Sequence, residues 1–74
     1  MSRDNPTLTA RELQVLACLV LGNTNREISR ELNIGESTVK FHVDGIFAKL
    51  GVSNRTEAAV VGMKAYPTLR AFAS

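Results

Sequence analysis

From residue 10 to residue 50 the apolar positions recur at intervals of three and four, with polar residues filling the gaps. That period belongs to helices with one face turned inward. Within "ELQVLACLVL", Val15, Leu16, Leu19 and Val20 share such a face. Just ahead of them Thr9 and Glu12 have capping-box spacing, in which hydroxyl and carboxylate each satisfy an orphan amide at the helix start. A first helix is therefore predicted from Thr9 to about Leu21, with Gly22 as its stop. Thr24 and Glu27 repeat the spacing and predict a short second helix carrying Ile28 and Leu32 on its inner face. Asn33 tolerates the left-handed conformation that ends a helix, which makes "NIG" a turn.

A third helix is predicted over Glu36–Leu50, because Val39, Val43, Ile46, Phe47 and Leu50 fall at helical spacing before Gly51. Ser37, Lys40, Phe41, Asp44 and Ala48 form a second stripe of the same period, polar except for Phe41 and Ala48. Ser53 or Asn54 caps a fourth helix from about Arg55 to Tyr66, and Pro67 stops it. The turn-forming "SRDNPT" reads as a flexible lead, and "TLRAFAS" as one loose turn or a disordered end. The expected organisation is a lead over residues 1–7, an all-α domain of four helices over 8–66, and a tail over 67–74.

Composition narrows the function. Seventy-four residues make one domain near the lower limit for a self-sufficient core, too small for a deep active-site cleft. Nine Lys and Arg against seven Asp and Glu, with a pI near 9.1, admit an anionic partner without demanding one. Cys18 is the single cysteine, so no internal disulfide forms, and it reads as a small buried hydrophobe. The apolar run over residues 15–21 is far short of the roughly 20 residues of a membrane span, and the start lacks a signal-peptide pattern. A soluble, cytoplasmic (nucleoid-associated) protein with no membrane association is expected. No nucleophile with a base, paired carboxylates or metal-ligand cluster is present, which sets enzyme function aside and leaves no cofactor or metal to expect.

Two helices joined by a tight turn, the second with a buried stripe behind it and a polar one in front, make a helix-turn-helix over residues 24–43, from Thr24 to Val43. The second helix of such a unit fits the DNA major groove, about 12 Å wide. Hydroxyls, amides and basic groups at the helix starts then suit phosphate, which points to Thr24, Asn25, Arg26, Ser37 and Thr38. Arg55 stands at the positive end of the fourth helix, an odd place for a cation unless a phosphate partner is there. His42 reads either as a half-buried packing residue or as another phosphate contact. On residue type alone Lys40 and Lys49 are solvated charges.

"LTARE", Gly22 with "NREIS", "STVKFHV" and "KLGVSNRTEA" stand in an order and spacing that resembles the DNA-binding domain of the LuxR/FixJ (GerE-type) family of bacterial transcription factors, over residues 8–61. The resemblance implies sequence-specific binding of double-stranded DNA by a transcriptional regulator, with the third helix in the major groove. It nominates Lys40, Phe41 and Asp44 for base contact and makes Lys40 and Lys49 more than solvated charges, Lys49 being a phosphate contact. It further implies a homodimer on DNA through the fourth helix, with Val60, Val61 and Lys64 as candidates. RNA polymerase and a receiver or ligand-sensing domain are the implied protein partners.

Several positions depart from the family pattern. Asp44 is acidic where many relatives are basic or neutral, and must either accept from cytosine N4 or pair with Lys40 one turn away. Gly45 costs about 1 kcal/mol relative to Ala inside a helix. Ser29 replaces a usual Ala, and Gly35 a usual Ser cap. Leu13, Ala17 and Leu21 fall in a row on the first helix where relatives often carry polar residues. The row reads as a partner patch or as a surface covered by the lead or the tail. Two rival functions stand beside DNA regulation: a sigma-factor promoter-reading region, and a protein-interaction module that retains the fold without binding DNA.

Overall fold

The computed structural model of the protein describes residues 7–67 and 69. Four helices follow one another: α1 (Ala10–Val20), α2 (Asn25–Leu32), α3 (Glu36–Leu50) and α4 (Arg55–Ala65). Their ends are set locally. Thr9 caps α1 and Thr24 caps α2, each in a complete capping box with Glu12 or Glu27. Asn33 closes α2 and Gly51 closes α3, both left-handed. Asn54, not Ser53, caps α4, accepting from the Glu57 amide, while Ser53 donates its own amide to Glu57 Oε1. Helix α4 ends at Ala65, one residue short of the expectation, with Tyr66 as its cap.

Helix α1 is the central post. It packs against both α3 and α4, and α2 packs on α3. Val15, Leu16, Cys18, Ile28, Val39, Ile46 and Ala58 are fully enclosed, and Leu13, Val20, Leu32, Ile34, Phe47 and Leu50 close the core from its edges. Two close approaches depend on glycine. A Cβ on Gly62 would stand 3.1 Å from Leu16 Cδ1, so its absence lets α4 lie directly on α1. A Cβ on Gly45 would stand 3.1 Å from Glu12 Oε2, which explains a glycine in the middle of α3.

Burial bears on two of the sequence-based expectations. Leu13, Ala17 and Leu21 do not form an exposed row: Ala17 is buried, Leu13 is half-buried against the core, and only Leu21 is exposed. Because α1 is covered by two neighbouring helices, its apolar arc is wider than a single stripe. Beyond the expected domain limit at residue 66, Leu69 is 3% exposed and joins the core, its amide donating to the Tyr66 carbonyl. The expectation for the remainder of the tail, Thr68 and residues 70–74, lies outside the described residues, as does that for residues 1–6 of the lead.

Candidate nucleic-acid interface

The outward stripe of α3 is in place. Ser37, Lys40, Phe41, Asp44 and Ala48 are all exposed, while Val39, Val43 and Ile46 on the opposite side are buried. Phe41 is 73% exposed, a large ring with no place in the core. His42 is half-buried, and its ring meets that of Phe41 edge to face at 5.8 Å between centroids. One turn on from Lys40, Asp44 Oδ2 accepts from Lys40 Nζ at 3.2 Å, with both side chains largely in solvent (70% and 62% exposed). An exposed pair of this kind contributes little to stability, about 0.3–0.5 kcal/mol.

Thr24 and Arg26 are exposed, as are Ser37 and Thr38 in the first turn of α3. Thr24 Oγ1 already accepts the Glu27 amide at 3.1 Å as a cap, which leaves its hydroxyl proton free to donate. Gly35, the cap of α3, offers no side-chain acceptor to that helix. Ser29 turns its hydroxyl onto the Arg26 carbonyl at 2.8 Å.

Three residues expected at phosphate also make hydrogen bonds within the fold. Lys49 Nζ donates to Glu12 Oε1 at 2.7 Å and to the Thr7 carbonyl at 3.4 Å, and its side chain is only 29% exposed. Arg55 donates through Nη1 to Asn25 Oδ1 and through Nη2 to the Asn23 carbonyl, both at 2.6 Å. The oddly placed cation of α4 is thus a tie from that helix to the start of α2, and it occupies the amide oxygen of Asn25. Nothing in the local sequence signals either bond, since the partners lie 30 to 37 residues apart. Charge-assisted hydrogen bonds are worth about 1.5–3 kcal/mol each in favourable settings. Arg55 is half-buried, so Arg55→Ala is expected to cost about 1.5 kcal/mol in all, a drop of about 10 °C in Tm by circular dichroism. An unchanged Tm would return Arg55 to the free cations.

The dimer candidates on α4 have mixed settings: Val60 and Lys64 are exposed and Val61 is half-buried, with exposed Met63 beside them, a residue the sequence reading passed over. Leu21 and Met63 line a shallow apolar depression with Val20, Tyr66, Pro67 and Leu69. Cys18 is buried, and that burial pushes its thiol pKa up, which keeps it protonated and unreactive. Among the described residues no three His, Cys, Asp or Glu side chains are placed to hold a metal ion, and no helix is long and apolar enough to cross a membrane.

Residues 6–62 match the family model described as bacterial regulatory proteins, luxR family (GerE). The chain is 52% identical over 54 residues to the transcriptional regulatory protein LiaR of Bacillus subtilis (strain 168), covering 73% of this chain and 26% of that one. It is 51% identical over 51 residues to the HTH-type transcriptional activator RamA of Corynebacterium glutamicum, covering 69% and 18%. Against the CsgBAC operon transcriptional regulatory protein of Escherichia coli (strain K12) it is 46% identical over 57 residues, covering 77% and 26%. The chain spans between 18% and 30% of the length of such curated relatives.

Proposed function

The chain belongs to the luxR family of bacterial regulatory proteins, and on that premise we propose that it binds double-stranded DNA in a sequence-specific manner as the reading domain of a cytoplasmic transcriptional regulator. The observation that carries this reading is the division of α3 into a buried side and an exposed side that holds Ser37, Lys40, Phe41 and Asp44. A helix wholly committed to packing has no use for an exposed phenylalanine between a lysine and an aspartate.

In this reading α3 lies in the major groove and α2 crosses the backbone. Lys40 donates to guanine O6 and N7, and the Phe41 ring packs on a thymine methyl. Thr24, Arg26, Ser37 and Thr38 take phosphate oxygens, helped by the amides at the start of α3, where no side chain competes as a cap. His42 serves through its edge contact with Phe41, holding that ring against the groove floor. Lys49, Arg55 and Asn25 support the reading helices from behind. The reading domain runs from residue 8 through the core residue Leu69.

One helix reads only a few base pairs, so two copies on half-sites about one DNA turn apart raise both affinity and specificity. The exposed α4 face with Val60, Met63 and Lys64 is the surface offered for that pairing. Because the matched segment is only 26% of one relative and 18% of another, a receiver or ligand-sensing domain and RNA polymerase remain the expected protein partners. The interaction-module alternative loses the Leu13, Ala17 and Leu21 row, since Ala17 is buried, and keeps Asp44, the modest net charge and the exposed Leu21 in its favour.

The test is a selection of bound duplexes from a random pool, repeated with Lys40→Ala at two salt concentrations. A motif should emerge, and Lys40→Ala should relax one base position by about 1–3 kcal/mol, roughly 5- to 150-fold. Affinity should fall steeply with salt, as counterion release requires. Failure to enrich any sequence at low salt would overturn the reading.

A further inference from the structure

The charges on α3 are not those that make a helix cling to a polyanion. Lys49 is spent on Glu12. On the exposed side Glu36 and Asp44 set two carboxylates against the single ammonium of Lys40, and that ammonium is already bridged to Asp44 at 3.2 Å. A carboxylate on this face is repelled by phosphate and by every acceptor on the groove floor: guanine O6 and N7, adenine N7, and thymine O4. Only an exocyclic amine, on cytosine N4 or adenine N6, welcomes it.

Resting on the DNA reading above, we propose that Asp44 is a specificity-determining residue that acts together with Lys40 on one G·C pair. Lys40 donates to the guanine, and Asp44 accepts from the N4 amine of the paired cytosine. The choice of G·C over A·T follows from counting donors. Of the three N–H bonds of Lys40 one is held by Asp44, leaving two, and guanine presents two adjacent acceptors where adenine presents one. In the groove of a G·C pair the cytosine amine lies next to guanine O6, so neighbouring donor and acceptor on the protein meet neighbouring acceptor and donor on the base pair. At a sequence that sets guanine O6 or N7, adenine N7 or thymine O4 opposite it, Asp44 meets an acceptor and lowers the affinity. Its effect is therefore to separate specific from non-specific binding by weakening the latter.

The 74-residue chain, Asp44→Ala and Asp44→Asn are each taken through selection from a random duplex pool, then titrated on the duplex enriched by the unmodified chain and on a random duplex at two salt concentrations. The unmodified chain should enrich one invariant G·C pair. Asp44→Ala should lose discrimination at that pair by roughly tenfold and bind the random duplex more tightly. Its salt slope should steepen by about one, as Lys40 released from Asp44 takes a phosphate. Asp44→Asn, which both donates and accepts, should admit A·T at the same position. An unchanged motif in Asp44→Ala would overturn the assignment while leaving the DNA reading intact, and adenine enriched opposite Asp44 would overturn the choice of cytosine. If the unmodified chain enriches nothing, the DNA reading itself falls. Asp44 is largely in solvent, and coincident thermal melts for all three chains verify that the fold is constant.

Discussion

Leu16→Ala is expected to lower the unfolding free energy by about 3 kcal/mol, near the middle of the range for deleting a buried leucine. A domain of this size has only about 4–11 kcal/mol in total. Tm should fall by about 12–24 °C, read by circular dichroism. The cost is high because of where Leu16 sits. It is fully buried on α1 and its methyl groups lie where the backbone of α4 comes closest, at Gly62. Rigid helix backbones on both sides keep the cavity from collapsing. The reverse change supplies a control. Gly62→Val adds atoms to the same space and should cost about 1–3 kcal/mol by overpacking. In the Leu16→Ala background the added valine has room, so the two losses should sum to more than the double variant shows. Strict additivity would mean that α1 and α4 do not meet at this point.

The second large effect concerns Glu12, which serves three elements at once. Its carboxylate accepts the Thr9 amide at 2.9 Å to start α1, accepts from Lys49 on α3 at 2.7 Å, and fills the gap left by Gly45. Glu12→Ala removes a cap and leaves a lysine that is two-thirds enclosed without its partner. The expected loss is about 2–3 kcal/mol, below that of a fully buried pair because Lys49 retains some solvent. Glu12→Gln keeps an acceptor for Thr9 and should cost about half as much, the difference measuring the cap.

The same group gives acid sensitivity. Burial pushes the Glu12 pKa up, but hydrogen bonds from Lys49 and Thr9 and the charge of Lys49 together outweigh it, and the net direction is down. A carboxyl with a lower pKa folded than unfolded stabilises fully above its unfolded value, about 4.3 for glutamate. That contribution is lost as pH falls through the folded value. The stability gap between the unmodified chain and Glu12→Gln should accordingly be constant near neutrality and narrow on acidification below about pH 4.3. A gap that widens in acid would reverse the sign of the shift.

What could be read from the chain divides by the distance over which its causes act. Thr9 with Glu12, Thr24 with Glu27, Asn33 and Gly51 act within one helical turn, and each helix begins or ends where those residues predict. The two stripes of α3 are likewise a matter of period. The contacts that Lys49, Arg55 and Asn25 make within the fold were not legible, because a charge or amide announces its need for a partner without identifying it. Their partners come from other helices, and only the packing of α1 on α3 and of α4 near the start of α2 brings them together. Ala17, for which both a patch and a covered surface were open, turns on a related point. A period locates the centre of a buried face, but its width depends on how many neighbours cover it, and α1 has two. Leu69 lay beyond a proline that correctly stopped the helix but did not stop the core.

The separation of α3 into a side that holds the fold and a side that holds nothing makes binding preference and foldedness nearly independent traits. Surface substitutions away from special contacts usually change stability by less than about 0.5 kcal/mol. Ser37, Lys40, Phe41, Asp44 and Ala48 all lie on the exposed side. A lineage, or an engineer, can therefore move through many residue combinations at these five positions without passing through an unfolded ancestor. On the DNA reading proposed above, the acidic Asp44 and the bare Phe41 are places where an address could be rewritten without changing the scaffold.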